Sequence, residues 1–318
     1  MKAKEIYNLA IASGAENDPR AKVGVKKYLK NQKRIYQGLS KDKKEEFDKE
    51  RLTNPYADSR FLTGDLNKNI KTLLVGIDID AAEMAIIRDL PDKIDMVISH
   101  HPAGRALAAL DQVMSLQADI LHQAGVPINI AEGVMKERIG QVSRSVSAAN
   151  HNRAVDAARL LKIPFACIHT PADNMVYQFL QKYIARKKPE TIGELIDALK
   201  QIPEYKIATK ENAGPTIFAG SPSNRAGKIV VTEMTGGTEG AKEIYEKMAQ
   251  AGVGTIIAMH MKDENREEAI KNHINVVVAG HIASDSLGMN LILDKLAKKG
   301  IKIIPCSGLI RVVRNVRK

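Results

Sequence analysis

From residue 71 onward the chain alternates short apolar runs with segments of helical period, and this restricts its fold more than any other feature. The runs "KTLLVGIDID", "DMVIS", "PFACIH", "KIVVTE", "VGTIIAMH", "NVVVAGH" and "KIIPCS" have the length and β-branched content of buried strands. "VPINIA" and the terminal "LIRVVRNV" read as further strands. Helical stretches lie between them: residues 81–89, an amphipathic segment from Pro102 to about Gln123, "NRAVDAARLLKI" with Asn150 or Asn152 as its cap, and "IGELIDALKQI". Strands alternating with helices predict an α/β protein. Its irregular middle divides it into a first lobe over 56–175, a connecting region over 176–226 and a second lobe over 227–318. Residues 1–55 form a charged helical extension whose lysine-rich "KKYLKNQKRIYQGLSKDKKEEFDKERL" reads as a mostly solvated face.

At 318 residues the chain can bury a large core. No apolar run approaches the ~18–20 residues of a membrane span. Glu5, Glu16 and Asp18 argue against a secretory leader, and Cys167 and Cys306 form no close pair, which predicts a cytoplasmic protein with reduced thiols. The net charge of +11 suits an anionic small molecule or nucleic acid, but aromatics make up only 4% and Trp is absent. With so few stacking platforms, nucleic-acid binding is not expected to be the main function.

Five of the eight histidines fall at the carboxyl ends of four predicted strands: His100 and His101, His169, His260 and His281. Ligands of open α/β sheets bind at that edge. Asp173 and Asp285 each follow a strand-end histidine by four residues, although either could instead cap a helix. A His/Asp set without Cys suits Zn, Mn or Fe. Side chains of adjacent strand residues point to opposite faces, so His100 and His101 are expected to serve one ion each of a pair. "MTGGTEG" lies between a strand and a helix, and Gly236 and Gly237 are candidates to cradle an anion there; an ordinary turn is the alternative. The turn lacks the Lys-Ser/Thr of a P-loop.

"SHHP" at 99–102, "HTPAD" at 169–173 and "GHIASD" at 280–285, in this order and with "LLVGID" ahead of them, resemble the Nif-three-like family, some of whose members are known as GTP cyclohydrolase I type 2. The resemblance covers roughly residues 55–315. It implies a two-lobed fold with mixed sheets, a dinuclear metal centre at the strand carboxyl ends between the lobes, and a ring-like homohexamer. By that resemblance His100, His101, Asp173, His281 and Asp285 are the metal ligands, with His169 and His260 behind them or toward substrate. The family carries glutamate where this chain has Asp285. The shorter side chain is expected to bind one ion while another group spans the pair, with His260 placed to compensate. Two divalent ions would make the protein a hydrolase of a nucleotide or another phosphorylated small molecule. The alternative is a metal-binding interaction or regulatory protein without catalysis.

Overall fold

The alternating runs form two mostly parallel sheets, each closed at one edge by an antiparallel strand. The computed structural model describes residues 1–314. Helices α1 (Ala3–Glu16), α2 (Ala21–Gly38) and α3 (Lys41–Glu46) come first. The first sheet contains β1 (Phe61–Thr63), β2 (Thr72–Gly76), β3 (Met96–Ser99) and β4 (Phe165–Cys167), with β1 antiparallel to β4. Helix α4 (Ala81–Ile86) follows β2, and α5 (Gly104–Ala108), α6 (Ser115–Gln123), α7 (Ile128–Ser147) and α8 (Arg153–Leu160) follow β3. After β4 come α9 (Thr170–Lys187), α10 (Ile192–Leu199) and α11 (Pro203–Lys210). The second sheet holds β5 (Thr216–Ala219), β6 (Lys228–Val231), β7 (Val253–Ala258) and β8 (Asn275–Val278), with α12 (Ile244–Gln250), α13 (Asp263–Lys271) and α14 (His281–Ala297) after its last three strands. The chain then returns to the first sheet, where β9 (Lys302–Cys306) lies parallel to β2.

Period-two burial decides what each sheet face packs against. Leu73 and Val75 of β2 face α1, α9 and α14, whereas Leu74 faces α4 and α8. In the second sheet Val231, Ile257 and Val277 face α9, α10, α11 and α14, and Val230, Ile256 and Val276 face α6, α7 and α12. Helices α9 and α14 therefore form a shared layer between the sheets. Ala172 and Met289 belong to one core, and Val176 and Leu287 to the other. Gly288 lets these two helices touch, because a Cβ there would sit 2.3 Å from the carbonyl oxygen of Ala172.

Several expectations are corrected here. "VPINIA" opens the helix α7, whose Ala131, Met135 and Val142 are buried at helical spacing; a short apolar run alone does not distinguish the two structures. Residues 309–314 are not a strand, and 315 and 316 of that expected strand lie outside the described residues. Neither asparagine caps α8 through its side chain, although Asn150 accepts from the amide of Asn152 at 3.2 Å. The lobe boundaries also shift. β9 joins the first sheet and β5 the second, while α1 of the N-terminal extension buries Ala3, Ile6 and Ala10 in the first core. Helix α2 is largely exposed. Among the described residues no helix is long and apolar enough to cross a membrane.

Candidate metal centre

Four strand ends and the opening turns of α9 and α14 bring the imidazoles and carboxylates together. After β3 the amides of His100 and His101 continue the ladder, donating to Gly76 and Ile77 carbonyls at 2.9 Å each. Their rings lie 5.1 Å apart, centroid to centroid. His169 follows β4 and its ring is 4.9 Å from that of His100. Asp173 follows in the first turn of α9, and Asp285 in the second turn of α14, four residues after His281.

Asp285 is completely buried, and neither carboxylate oxygen has a hydrogen-bond partner among the described residues. Oδ1 faces His100 Nε2 at 3.4 Å. Oδ2 faces His101 Nε2 at 3.4 Å and His281 Nε2 at 3.5 Å. The two oxygens thus point at different histidines: helix α14 starts close enough to the strand ends for the shorter side chain to face both. Nor does Asp285 cap its helix; Gly280 occupies that position, and Ser284 Oγ donates to the Gly280 carbonyl at 2.6 Å. Asp173 Oδ1 lies 3.4 Å from His100 Nε2, and both atoms are also buried without partners. A buried polar atom without a partner is costly, and several aimed at one another fit a cation between them.

Three histidines are held from behind, which fixes which nitrogen faces the cluster. Nδ1 of His100 meets the Ile168 carbonyl at 3.2 Å, Nδ1 of His101 meets Asp78 at 2.7 Å, and Nδ1 of His169 meets Asp58 at 2.8 Å. With Nδ1–H donating, each Nε2 lone pair is free for a ligand. Asp58 also accepts from Thr170 Oγ1 at 2.6 Å, and its neighbour Ser59 accepts from the His169 amide at 2.9 Å. Neither Asp58 nor Asp78 belongs to a strand-end histidine motif, and sequence reading missed both.

Three overlapping groups could each hold an ion: His100 with Asp173 and Asp285, His101 with His281 and Asp285, and His100 with His101 and His169. His169, expected behind the ligands or toward substrate, offers a nitrogen to the third of these groups. His260 sits at the rim, edge-on to the His281 ring at 4.8 Å. Gly236 and Gly237 lie elsewhere, with φ of +87° and +90°. Their turn is packed on residues 110–117: Gln117 Nε2 donates to the Gly236 carbonyl at 2.9 Å, and a Cβ on Gly237 would meet Met114 Cγ at 3.0 Å. Close approach accounts for both glycines, and residues 238–243 separate them from the start of α12.

Charge in the cluster is unbalanced. Burial pushes the Asp173 carboxyl well above the usual carboxylate range, His169 only partly opposing it. For Asp285 burial acts in the same sense, but the surrounding histidines, His100 foremost, overturn it and hold the group far below that range. Burial lowers His100 to about 4. It opposes charge on His101 too, but Asp285 and Asp78 prevail and raise that imidazole to about 10. Burial also lowers His260 and His281. Burial opposes charge on His169 as well, but Asp173 and Asp58 outweigh it and raise that imidazole too. Without a cation, protons therefore hold part of the cluster; a divalent ion would take their place between the rings and the carboxyls.

No protein-family model matches the chain, and no curated protein sequence does. Solved structures do. A NIF3 superfamily protein from Sphaerobacter thermophilus is 28% identical and superposes with a TM-score of 0.70 over 80% of this chain and 92% of its own. Reduced HcgD from Methanocaldococcus jannaschii shares the fold alone, at 14% identity and a TM-score of 0.51, over 83% of this chain and 94% of its own. Fold and site together define a mixed-sheet α/β protein with a His/Asp cluster suited to metal binding. The chain has the Nif-three-like fold, as its three motifs imply.

Proposed function

We propose that the cluster holds two divalent ions, Zn, Mn or Fe, and that the protein is a hydrolase of a nucleotide or another phosphorylated small molecule. The observation that carries this reading is the pair of unpartnered Asp285 oxygens, each turned to a different histidine set. In it His100 and Asp173 would hold one ion and His101 and His281 the other, with Asp285 offering an oxygen to each set. When bound, two such ions activate water and offset the negative charge of a hydrolytic transition state. Asp58 and Asp78 keep the His169 and His101 rings in the ligand tautomer.

A cavity of about 260 Å³ opens beside His101, with Arg153 and His151 on its wall. Asp78 and Asp80 share that wall, and Arg153 pairs with Asp80 at 3.2 Å, so what supports catalysis over a purely regulatory metal site is the room beside His101 alone. The proposal extends to a cytoplasmic homohexamer, on the free cysteines and on the resemblance to the family. The test is elemental analysis followed by a phosphoester and nucleotide hydrolysis screen with and without chelator. Two ions per chain and chelator-sensitive turnover are expected. Protein that takes up no metal after loading with Mn, Zn or Fe would refute the reading.

A further inference from the structure

Helix α2 carries six basic side chains, Lys22, Lys26, Lys27, Lys30, Lys33 and Arg34, and no acidic one. An ordinary solvated helix interleaves the signs, as α3 does when Lys43 pairs with Glu46 at 2.9 Å. In α2 the pairs Lys22–Lys26, Lys26–Lys30 and Lys30–Arg34 place like charges one turn apart, where they repel. Among the described residues none of the six forms an ion pair; Arg34 donates only to Asn31, at 3.1 Å. A helix built this way against its own repulsion is suited to a polyanion.

The cations do not lie on a flat face. Lys27, Lys30, Lys33 and Arg34 line one wall of a groove of about 1110 Å³ between α2 and the α6–α7 turn, while Ser115, Asp119 and Gln123 stand on the other wall. The lining runs from Arg20 to Gln37, and at ~1.5 Å per helical residue that is about 25 Å, the length of several nucleotides. We propose that this groove binds single-stranded nucleic acid, with phosphates along the α2 wall and base edges toward Asp119 and Gln123.

The asymmetry of the groove selects this occupant. An acidic polypeptide would bring carboxylates against Asp119 and Glu132 on the far wall, whereas base edges offer N–H donors that a carboxylate accepts. A membrane surface would reach the rim of the groove and not its floor. The one phenol ring in the lining, Tyr28, is covered by the Arg20 guanidinium at 4.9 Å from its centroid, which leaves the His122 imidazole as the other ring there. Binding is therefore electrostatic, tolerant of sequence and sensitive to salt. No residue of the groove belongs to the metal cluster, so the inference does not rest on the proposed hydrolysis.

The test is fluorescence anisotropy of a labelled twelve-nucleotide single strand with the full chain, across a series of salt concentrations. It is compared with the variant K27A/K30A/K33A/R34A, whose exposed positions accept alanine without loss of helix; circular dichroism and metal content serve as controls. Single strands lose about 0.7 in the slope of log K against log salt per phosphate contact, so the variant should bind at least tenfold more weakly, with a slope shallower by about 3. The proposal is overturned if the strand does not bind at low salt, or if the variant binds it unchanged. It is equally overturned if polyglutamate displaces the strand at matched charge, or if phosphatidylserine vesicles bind through α2 while the strand does not.

Discussion

Substituting Asp58 with alanine tests how the cluster is supported without touching a proposed ligand. The carboxylate is completely buried and accepts from His169 Nδ1 at 2.8 Å, Thr170 Oγ1 at 2.6 Å and Ser59 Oγ at 3.2 Å. A hydrogen bond to a charged group contributes ~1.5–3 kcal/mol, and removing one partner of a buried charged set leaves the others unpaired. The three bonds share one acceptor and do not add, so Asp58→Ala should destabilise the protein by about 3–5 kcal/mol. That corresponds to a fall in Tm on the order of 10 °C in thermal denaturation. His169 loses the contact that fixes its tautomer, so metal affinity measured by calorimetric titration should weaken ~10–100-fold.

The pH dependence supplies an independent readout. Burial acts to raise the Asp58 pKa, but the His169 hydrogen bond and charge prevail and hold it below the usual carboxylate value. A depressed folded-state pKa contributes stability above the unfolded value of ~3.9, and that stability is lost as pH falls through the folded value. The metal-free variant should therefore lose stability less steeply than the parent below about pH 4. A Tm within about 1 °C of the parent, with metal affinity unchanged, would show that Asp58 neither supports the fold nor orients His169.

Three further substitutions probe the cluster. Asp285 already reaches both histidine sets from a fully buried position, so Asp285→Glu pushes a longer side chain against rings 3.4 Å away; denaturant unfolding should show a loss of about 1–3 kcal/mol with no gain in metal stoichiometry, and a tighter second ion would contradict this. Gly288→Ala would force α14 off the Ala172 carbonyl, separating Asp285 from Asp173; both Tm and metal occupancy should fall, and retention of both would show that the helices part without disturbing the site. Removing the His260 ring, which packs edge-on against His281, should weaken metal binding ~10-fold at unchanged stoichiometry by titration, and an unaltered affinity would leave it a packing residue.

Local signals in the sequence reached the two-lobed α/β architecture and most of the cluster. Apolar runs ended in histidine at β3, β4, β7 and β8, and a side chain carried to a strand end is announced by the strand before it. Where signals were short or ambiguous the sequence misled, as at "VPINIA", which extends into the twenty-residue helix α7. The three-residue β1 and four-residue β5 owe their strand character to pairing with β4 and β8, distant partners that no local pattern names. The return of β9 to β2 is likewise a long-range pairing.

What tertiary structure alone decided is how the pieces meet. Asp58 and Asp78 lie in loops and matter only because the fold carries them behind His169 and His101. Asp285 spans two histidine sets because Gly288 seats α14 directly on α9, which also presents Asp173. Side-chain reach of a few ångströms decides such a role, and it depends on how closely two helices approach, which residue type at one position does not state. Residue identities and spacing determine which donors the chain carries to its strand ends; packing decides which oxygen faces which ring.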